Sequence, residues 1–309
     1  MLKCSICKKR IAFYVRRYSG ERLCRKCFSE SIENKVRAVI SKYDMFKFDD
    51  KIAVAVSGGK DSVNLLHILS KIEKDYPKAS LCVITVDEGI KGYRDEAIQI
   101  AAENCEMLGV DQTVVSFKEL YGYTLDEIVE KTKHKALTPC AYCGVLRRRA
   151  LNIAARKASA DKIATAHTLD DEIQTFLLNL FHGDPFRTIR SGPKFTSESQ
   201  QLTPRVKPFC EVLERESALY AYVKGIKFQE MPCPYAGEAL RNDMRIYLNR
   251  LEEKHPSIKY TLYRSIEKIR EVIAKHVKEP QLKSCRICGE PTTDTICQVC
   301  KMLSELELI

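Results

Sequence analysis

The sequence predicts an α/β protein, a doubly wound parallel sheet with a small cysteine-rich unit at each terminus. Between residues 31 and 280, short apolar strand-like runs alternate with segments of helical periodicity, the pattern of repeated βαβ units. Four C-x-x-C pairs lie outside that region, two near each end of the 309-residue chain. The predicted organisation is therefore an N-terminal unit over residues 1–30, a central domain over residues 31–280 and a C-terminal unit over residues 281–309.

The composition indicates a folded globular protein, with 45% hydrophobic and 30% charged residues. No apolar run approaches the roughly 20 residues that a membrane-spanning helix needs, and the first residues lack the apolar core of a secretory signal. We therefore expect a cytoplasmic protein with no membrane partner. The net charge of +10 suits a polyanionic partner but does not require one.

The elements of the central domain follow from periodicity and from turn residues. A helix over residues 31–43 precedes a first strand over residues 51–56, whose nearly continuous apolar run is typical of a buried parallel strand. Gly109 marks the end of a later helix. The remaining strands are predicted over residues 81–86, 110–116 and 162–166, and the remaining helices over residues 61–75, 94–108, 143–160 and 169–181.

The terminal cysteine pairs have the spacing of zinc ribbons. Sixteen residues separate the two N-terminal pairs, and eight separate the two C-terminal pairs. In each unit four thiolates can complete a tetrahedral Zn²⁺ site, and the metal can supply folding energy that a core of about 30 residues cannot. The sequence thus predicts two structural Zn²⁺ sites, one formed by Cys4, Cys7, Cys24 and Cys27, the other by Cys285, Cys288, Cys297 and Cys300.

A phosphate-binding loop is predicted at Ser57-Gly58-Gly59-Lys60-Asp61-Ser62, directly after the first strand and at the start of a helix. Glycines let the backbone approach an anion closely, and a helix N-terminus presents unpaired N–H groups and the positive end of its dipole. The two serine hydroxyls add donors, Lys60 adds a positive charge, and Asp61 can hold Mg²⁺ or orient the loop. The spacing matches neither the Walker A pattern nor G-x-G-x-x-G.

This loop resembles the PP-loop of the ATP pyrophosphatases, Rossmann-like proteins that hold the pyrophosphate of ATP while a substrate oxygen attacks the α-phosphate. The stretch from Ala164 to Asp171, ATAHTLDD, resembles the second family signature, G-H-x-x-D-D, with Ala166 in place of glycine. Part of that stretch is also explained by ordinary helix capping through Thr168 and Asp171. The resemblance implies binding of ATP and Mg²⁺, with nucleotide contacts from Ala55, Ser57, Gly58, Gly59, Lys60, Asp61, Ser62, Ile84, Asp87, Ala166 and His167.

A fifth C-x-x-C pair, Cys140 and Cys143, lies mid-chain at the start of a helix, and Cys233 follows far along the sequence. The set by itself is ambiguous, because it suits a redox pair, a persulfide carrier, a cluster site or simple packing. Three thiolates can ligate a [4Fe–4S] cluster and leave one iron without a protein ligand. Such an iron can hold a hydrosulfide as a sulfur nucleophile.

The combination of a PP-loop core, a Cys4 ribbon at each end, P-C-x-x-C-G-x-x-R-R mid-chain and a later lone cysteine is similar to the tRNA 2-thiouridine synthetases of the TtuA/Ncs6 group. The similarity covers essentially the whole chain. It implies that Cys140, Cys143 and Cys233 bind a [4Fe–4S] cluster and that Arg147 acts on ATP or on the activated intermediate. Asp61 and Asp171 match carboxylates important in that group.

The implied reaction adenylates the C2 oxygen of a tRNA uridine and replaces it with sulfur. The sulfur donor is a ubiquitin-like carrier protein or free sulfide, a homodimer is possible, and residues 143–149 favour position 34 of the tRNA over position 54. Three alternatives stay open. They are the same reaction through a cysteine persulfide without a cluster, a PP-loop enzyme that modifies tRNA cytidine, and a non-catalytic zinc-ribbon RNA-binding protein.

Basic residues are concentrated after the middle cysteine pair, where they are predicted to neutralise tRNA phosphates and to make binding salt-dependent. The polar segment 191–204 is predicted to be a loop that orders on tRNA, and Arg16 and its neighbours in the N-terminal ribbon are further candidate RNA contacts. Cys82, Cys105 and Cys210 are predicted to be packing residues. The candidate basic residues are Arg147, Arg148, Arg149, Arg156, Lys157, Arg187, Arg190, Lys194, Arg205, Lys207, Arg241, Arg245 and Arg250.

Overall fold

The structure is a computed structural model that describes the whole chain except residues 1, 133–136, 185–186, 189–190, 196–198, 200, 237–239 and 277–280. The strands are β1 Tyr14–Arg16, β2 Glu21–Leu23, β3 Lys51–Ala55, β4 Ser80–Asp87, β5 Gln112–Ser116, β6 Lys162–Ala164, β7 Lys194–Phe195, β8 Arg205–Val206, β9 Lys283–Ser284 and β10 Pro291–Thr292. The helices are α1 Arg25–Lys42, α2 Lys60–Glu73, α3 Arg94–Leu108, α4 Phe117–Tyr121, α5 Leu125–Thr132, α6 Pro139–Lys157, α7 Leu169–Phe181, α8 Glu214–Lys224, α9 Leu240–Lys254, α10 Ile258–His276 and α11 Gln298–Glu305. None of the helices described is both long and apolar enough to cross a membrane.

A six-stranded sheet in the order β5-β4-β3-β6-β8-β7 forms the centre of the protein. Its first five strands pair in parallel, and β7 closes one edge antiparallel to β8. The chain leaves β3 toward β4 and β5 and later returns to β6 on the other side of β3. In open parallel sheets, ligands bind at such a switch point, beyond the carboxyl ends of the strands. The predicted doubly wound sheet is confirmed, and the predicted phosphate loop follows β3 at that switch point.

Helix boundaries agree with the sequence where local end signals are strong. Helices α3 and α7 span the predicted residues, and Gly109 ends α3 with a left-handed φ of 67°. Helix α6 begins at Pro139, four residues earlier than predicted, because proline suits the first position of a helix, where no N–H donor is needed. Helix α1 begins at Arg25, before the predicted start, and therefore continues out of the N-terminal cysteine unit.

The two terminal units pack on two different hydrophobic clusters. Leu23 and Phe28 of the N-terminal unit are fully buried in one cluster together with α2 and α8. Met302 and Leu303 of the C-terminal unit are buried in the other cluster, with α6. Arg16 forms a 2.8 Å ion pair with Glu216 of α8, and both side chains are buried. Arg16 is therefore a structural residue, and the expectation that it contacts RNA is wrong.

Candidate active site

The phosphate loop is a tight turn held by its own serines. Ser57 donates its N–H to the Ser62 hydroxyl (3.1 Å), which in turn donates to the Gly59 carbonyl (2.9 Å). Gly59 is the N-cap of α2 and contributes no side-chain cap. The first N–H groups of α2 therefore stay available to a bound anion.

Gly58 is required at its position for two independent reasons. Its φ is +87°, a left-handed conformation that side chains rarely adopt, and a Cβ there would lie 2.4 Å from the Ala97 carbonyl oxygen of α3. The Gly58 carbonyl also accepts a hydrogen bond from the backbone of Gln229 (2.9 Å). That bond joins the loop to the chain segment that carries Cys233.

Lys60 and Asp61 form a charged pair at the base of the loop. The Lys60 ammonium lies 2.9 Å from Asp61 Oδ2 and 3.1 Å from Glu214 Oε1. Burial raises the pKa of Asp61, and Lys60 opposes that shift. Asp61 Oδ1 is buried and has no hydrogen-bond partner among the described residues. An unsatisfied carboxylate oxygen beside a phosphate site is a suitable ligand for Mg²⁺.

The second signature is partly a helix cap, as its alternative explanation predicted. Thr168 accepts a hydrogen bond from the backbone N–H of Asp171 (3.4 Å), and Asp171 Oδ2 accepts one from the backbone of Thr168 (2.9 Å). Asp171 Oδ1 lies 3.5 Å from Arg241 and so faces away from the cap. His167, beside them, shares a 2.9 Å hydrogen bond with Thr165. Burial, reinforced by Lys207, lowers the pKa of His167 to about 4, so the ring is neutral at pH 7.

The remaining predicted nucleotide contacts lie along the ends of β3 and β4. Ala55 is the last residue of β3. Asp87 ends β4 and accepts a hydrogen bond from the backbone of Gly89 (2.8 Å), which fixes the turn after the strand. Ile84 is only 1% exposed, and its carbonyl accepts from the Val56 backbone. Of these predicted contacts, Ile84 is the one whose side chain lies in the core.

Cys140 and Cys143 lie in the first two turns of α6, and Cys233 lies in the segment opposite them. Cys140 is exposed and its Sγ lies 3.4 Å from the carbonyl oxygen of Tyr235, two residues after Cys233. Cys143 is buried, and burial raises the pKa of its thiol to about 11, with a smaller contribution from the charge of Cys233. The fold therefore brings together the two stretches that hold these cysteines, although about 90 residues of sequence separate them.

The three middle thiols do not form a compact single-ion site. Among the described residues, the cysteine groups whose sulfurs all lie within 4.8 Å of one another are the two terminal sets, and the middle set is not one of them. A [4Fe–4S] cube binds each thiolate to a different iron and so needs a wider spacing than one tetrahedral ion. Soft sulfur donors at a partly buried position suit such a cube.

The terminal sets have the geometry of single-ion sites. Cys7 and Cys24 sulfurs are 3.9 Å apart, and Cys288 and Cys297 sulfurs are 3.6 Å apart. Four sulfurs within 4.8 Å of one another match the tetrahedral Cys4 arrangement expected for Zn²⁺.

A chain of charged contacts that the sequence reasoning missed joins the phosphate loop to Cys143. Arg94 donates to the Ser57 carbonyl (2.9 Å), and its Nε lies 2.7 Å from Glu88. Glu88 also contacts Arg147 Nε at 2.7 Å, and Arg147 donates to Cys143 Sγ (2.9 Å). A glutamate directly after a buried strand was the available signal, because carboxyl ends of parallel strands line such sites.

Several of the predicted RNA contacts are instead paired within the protein. Arg156 pairs with Glu290, and Lys207 lies 2.5 Å from Glu172. The Arg149 guanidinium lies 3.9 Å from the Cys297 sulfur. Arg149 and Arg156 thus join α6 to the C-terminal ribbon, and Lys207 joins the segment after β8 to α7.

Arg148 and Arg205, by contrast, remain candidates for binding a polyanion. They line a cavity of about 190 Å³ beside the C-terminal ribbon, and Arg205 lies over the Phe195 ring. Burial lowers the pKa of Arg148 to about 10, helped by the charges of Arg205 and Arg187. Among the described residues, no carboxylate acts on the charge of Arg148 or Arg205. Arg190 lies outside the described residues, as do residues 196–198 and 200 of the predicted tRNA-ordered loop.

Comparison with known proteins identifies the family of this chain. Residues 28–252 match the PP-loop domain family. This chain belongs to the PP-loop family. The predicted PP-loop, residues 57–62, lies within the matched region, after β3 and at the start of α2.

The relatives of this PP-loop protein extend over nearly its whole length. A probable sulfurtransferase of Methanocaldococcus jannaschii is 38% identical over 301 residues, which cover 96% of this chain and 86% of the relative. The tRNA 2-thiolation protein NcsA of Haloferax volcanii is 34% identical, with 94% of this chain and 95% of the relative covered. The tRNA-5-methyluridine(54) 2-sulfurtransferase of Pyrococcus horikoshii is also 34% identical, over 97% of this chain and 93% of the relative.

A solved structure agrees with the fold over the full chain. The U34-tRNA thiolase NcsA from Methanococcus maripaludis, determined with its [4Fe–4S] cluster, is 33% identical and superimposes with a TM-score of 0.86. The match covers 99% of this chain and 97% of that one. The chain is thus a member of the tRNA 2-thiolation group within the PP-loop family, and the resemblance inferred from its motifs is confirmed.

Proposed function

We propose that this protein is an ATP-dependent tRNA-uridine 2-sulfurtransferase, acting on position 34 in the cytoplasm. The observation that carries the proposal is the chain of contacts that joins the phosphate loop to Cys143 through Arg94, Glu88 and Arg147. The position rests on residues 143–149 and on the likeness to the U34 thiolase. Loss of 2-thiouridine from position 34 in cells lacking the protein, measured by mass spectrometry of mapped tRNA nucleosides, tests it. Unchanged thiolation in those cells would refute the proposal.

The phosphate loop activates ATP in this proposal. The free N–H groups of α2 and the Lys60 ammonium hold the pyrophosphate portion of ATP, and Asp61 Oδ1 supplies a ligand for Mg²⁺. Lys60 then exchanges its contacts with Asp61 and Glu214 for phosphate oxygens. The uracil O2 attacks the α-phosphorus, the bond from that phosphorus to the α,β-bridging oxygen breaks, and pyrophosphate leaves. The fixed cations neutralise the charge that develops on the transferring group.

The cysteine side of the cleft supplies sulfur. Cys140, Cys143 and Cys233 would hold a [4Fe–4S] cluster, which supplies sulfide as the nucleophile at C2 of the adenylated uracil. Arg147 contacts both Glu88 and Cys143, and its bond to Cys143 orients that thiolate. AMP leaves as the C2–S bond forms. A ubiquitin-like carrier protein or free sulfide replenishes the sulfur, and a homodimer stays a prediction.

Arg148 and Arg205 are expected to bind tRNA phosphates in the cavity beside the C-terminal ribbon. Replacing either with alanine should weaken tRNA binding about tenfold and lower the slope of log K against log[salt] by about 1. Fluorescence anisotropy across a salt series measures both quantities. Arg37→Ala is the matched control, since Arg37 is a surface arginine of α1 that pairs with Asp75. A similar loss in that variant would contradict the assignment.

Both ribbons are expected to hold one Zn²⁺ each, so that metal analysis finds two per chain. Cys297→Ser should lose one zinc and lower the free energy of unfolding by several kcal/mol, because metal binding supplies folding energy to such units. Cys82→Ser is the control, since Cys82 is half-buried and belongs to no four-sulfur group. Two zinc ions retained in Cys297→Ser would exclude the C-terminal site.

A further inference from the structure

Glu88 is a buried carboxylate placed between two arginines from different helices. It is only 3% exposed. One carboxylate oxygen lies 2.7 Å from Arg94 Nε, and the other lies 2.7 Å from Arg147 Nε. Each arginine holds a different half of the cleft.

Arg94 holds the nucleotide half. Its side chain is 4% exposed and donates to the carbonyl of Ser57 (2.9 Å), the first residue of the PP-loop, and to the carbonyl of Val86 (2.6 Å). The position of the loop after β3 is thereby tied to the end of β4. A displaced Arg94 would release the Ser57 carbonyl and loosen the turn that presents N–H groups to phosphate.

Arg147 holds the sulfur half. It extends from the third turn of α6 and donates to Cys143 Sγ at 2.9 Å. Its side chain is 45% exposed, so Glu88 is the contact that fixes its direction. Without that contact the guanidinium can turn away from the thiol.

The charges of the two arginines explain the need for a carboxylate that pairs with both of them. Two guanidinium groups that approach each other repel, and a buried anion between them converts the repulsion into attraction. A neutral side chain of the same shape at position 88 would preserve the packing but remove the negative charge. The two arginines would then separate and move the two halves of the cleft apart.

We propose that Glu88 is a positioning residue that sets the distance and orientation between the PP-loop and the Arg147–Cys143 pair. The proposal rests on the proposed function, since it assigns the two halves to activation and sulfur transfer. Glu88 belongs neither to the PP-loop, nor to the second signature, nor to the cysteine set. In this proposal Glu88 does not contact the substrate.

Glu88→Gln tests the proposal, because it removes the charge and preserves the size. We expect a fivefold or greater rise in the Kd for ATP, a fall of at least half in the iron retained per chain after anaerobic purification, and a 100-fold loss of kcat for thiolation. Asp61→Ala should affect ATP binding alone and Cys143→Ser iron alone. The distinctive outcome is that this one substitution lowers both the affinity for ATP and the iron content.

Glu33→Gln is the matched control, since Glu33 is a similarly buried carboxylate that contacts two cations, Lys71 and Lys224, away from the cleft. It should lower Tm and leave ATP affinity and iron content within twofold of wild type. If Glu88→Gln behaves in the same way, Glu88 is merely structural and the proposal is overturned. If Glu88→Gln does not fold, Glu88→Asp is the second variant, because it keeps the charge but is too short to reach both arginines. It should reduce both ATP affinity and iron content, each by less than Glu88→Gln. Unchanged ATP affinity and iron content in Glu88→Asp would likewise overturn the proposal.

The two readouts also separate this proposal from the proposed function. ATP affinity and iron content are measured without tRNA. If the wild-type protein does not thiolate tRNA, the proposed function fails, whereas coupled losses in Glu88→Gln would still establish the link between the two halves.

Discussion

A protein in which alanine replaces Cys233 is expected to bind ATP normally but to lose tRNA thiolation by about 1,000-fold, which corresponds to about 4 kcal/mol of transition-state stabilisation. Two thiolates from one stretch of α6 are not enough to retain a [4Fe–4S] cluster in water. The iron should therefore be lost when the third thiolate, that of Cys233, is removed. The cluster is measured by its broad absorbance near 400 nm and by the iron content after anaerobic purification. Thiolation is measured by mass spectrometry of the reacted tRNA.

The matched control is Cys105→Ala. Cys105 is 3% exposed in the core, its pKa is raised to about 11 by burial, and it lies on α3 away from the middle cysteines. This variant should lose some stability through the small cavity it creates but retain iron and activity. If Cys233→Ala keeps its iron and still loses activity, the persulfide route replaces the cluster, because only a carrier thiol would then be missing. Full activity in Cys233→Ala would remove this residue from the mechanism.

The parts of the cleft that the sequence predicted well are those whose signals are local. The strand, turn and helix around residues 57–62 are specified by neighbouring residues, as are the cap formed by Thr168 and Asp171 and the paired cysteines of each ribbon. Each of these signals lies within one or two turns of chain. Short-range rules of capping and metal spacing therefore apply directly.

The parts that escaped prediction depend on contacts between distant stretches. Neither Glu88 nor Arg94 belongs to a motif, and their roles appear only when β4 and α6 lie side by side. The bond from Gln229 to Gly58 is of the same kind, because it joins residues 171 positions apart in the sequence, 229 − 58. An order of elements predicts which stretches share a sheet edge, but it does not give the register of side chains across that edge.

The same limitation explains the basic residues. A count of arginines and lysines treats each cation as available, whereas folding gives several of them acidic partners that no local pattern reveals. Lys207 meets Glu172 and Arg156 meets Glu290. Pairing therefore reduces the predicted RNA surface mainly to cations such as Arg148, which face like charges instead of acids.

Gly58→Ala is expected to reduce ATP affinity and thiolation by at least about 100-fold, although the change adds a single methyl group. The new Cβ would lie 2.4 Å from the Ala97 carbonyl oxygen, so either the loop or α3 must shift. A shift of about 1 Å at a phosphate site is enough to cost roughly 100-fold in rate. Isothermal titration with ATP and steady-state thiolation measure the two losses.

Gly92→Ala separates the steric effect from backbone strain. Gly92 has a φ of +70°, close to the +87° of Gly58, but a Cβ there would meet nothing within 4 Å. Both variants therefore carry the left-handed strain of about 1–2 kcal/mol, and only Gly58→Ala adds the clash with α3. Gly92→Ala should lower Tm yet bind ATP like wild type. Equal losses of ATP affinity in the two variants would show that strain alone is responsible, and normal affinity in Gly58→Ala would mean that the loop is not the nucleotide site.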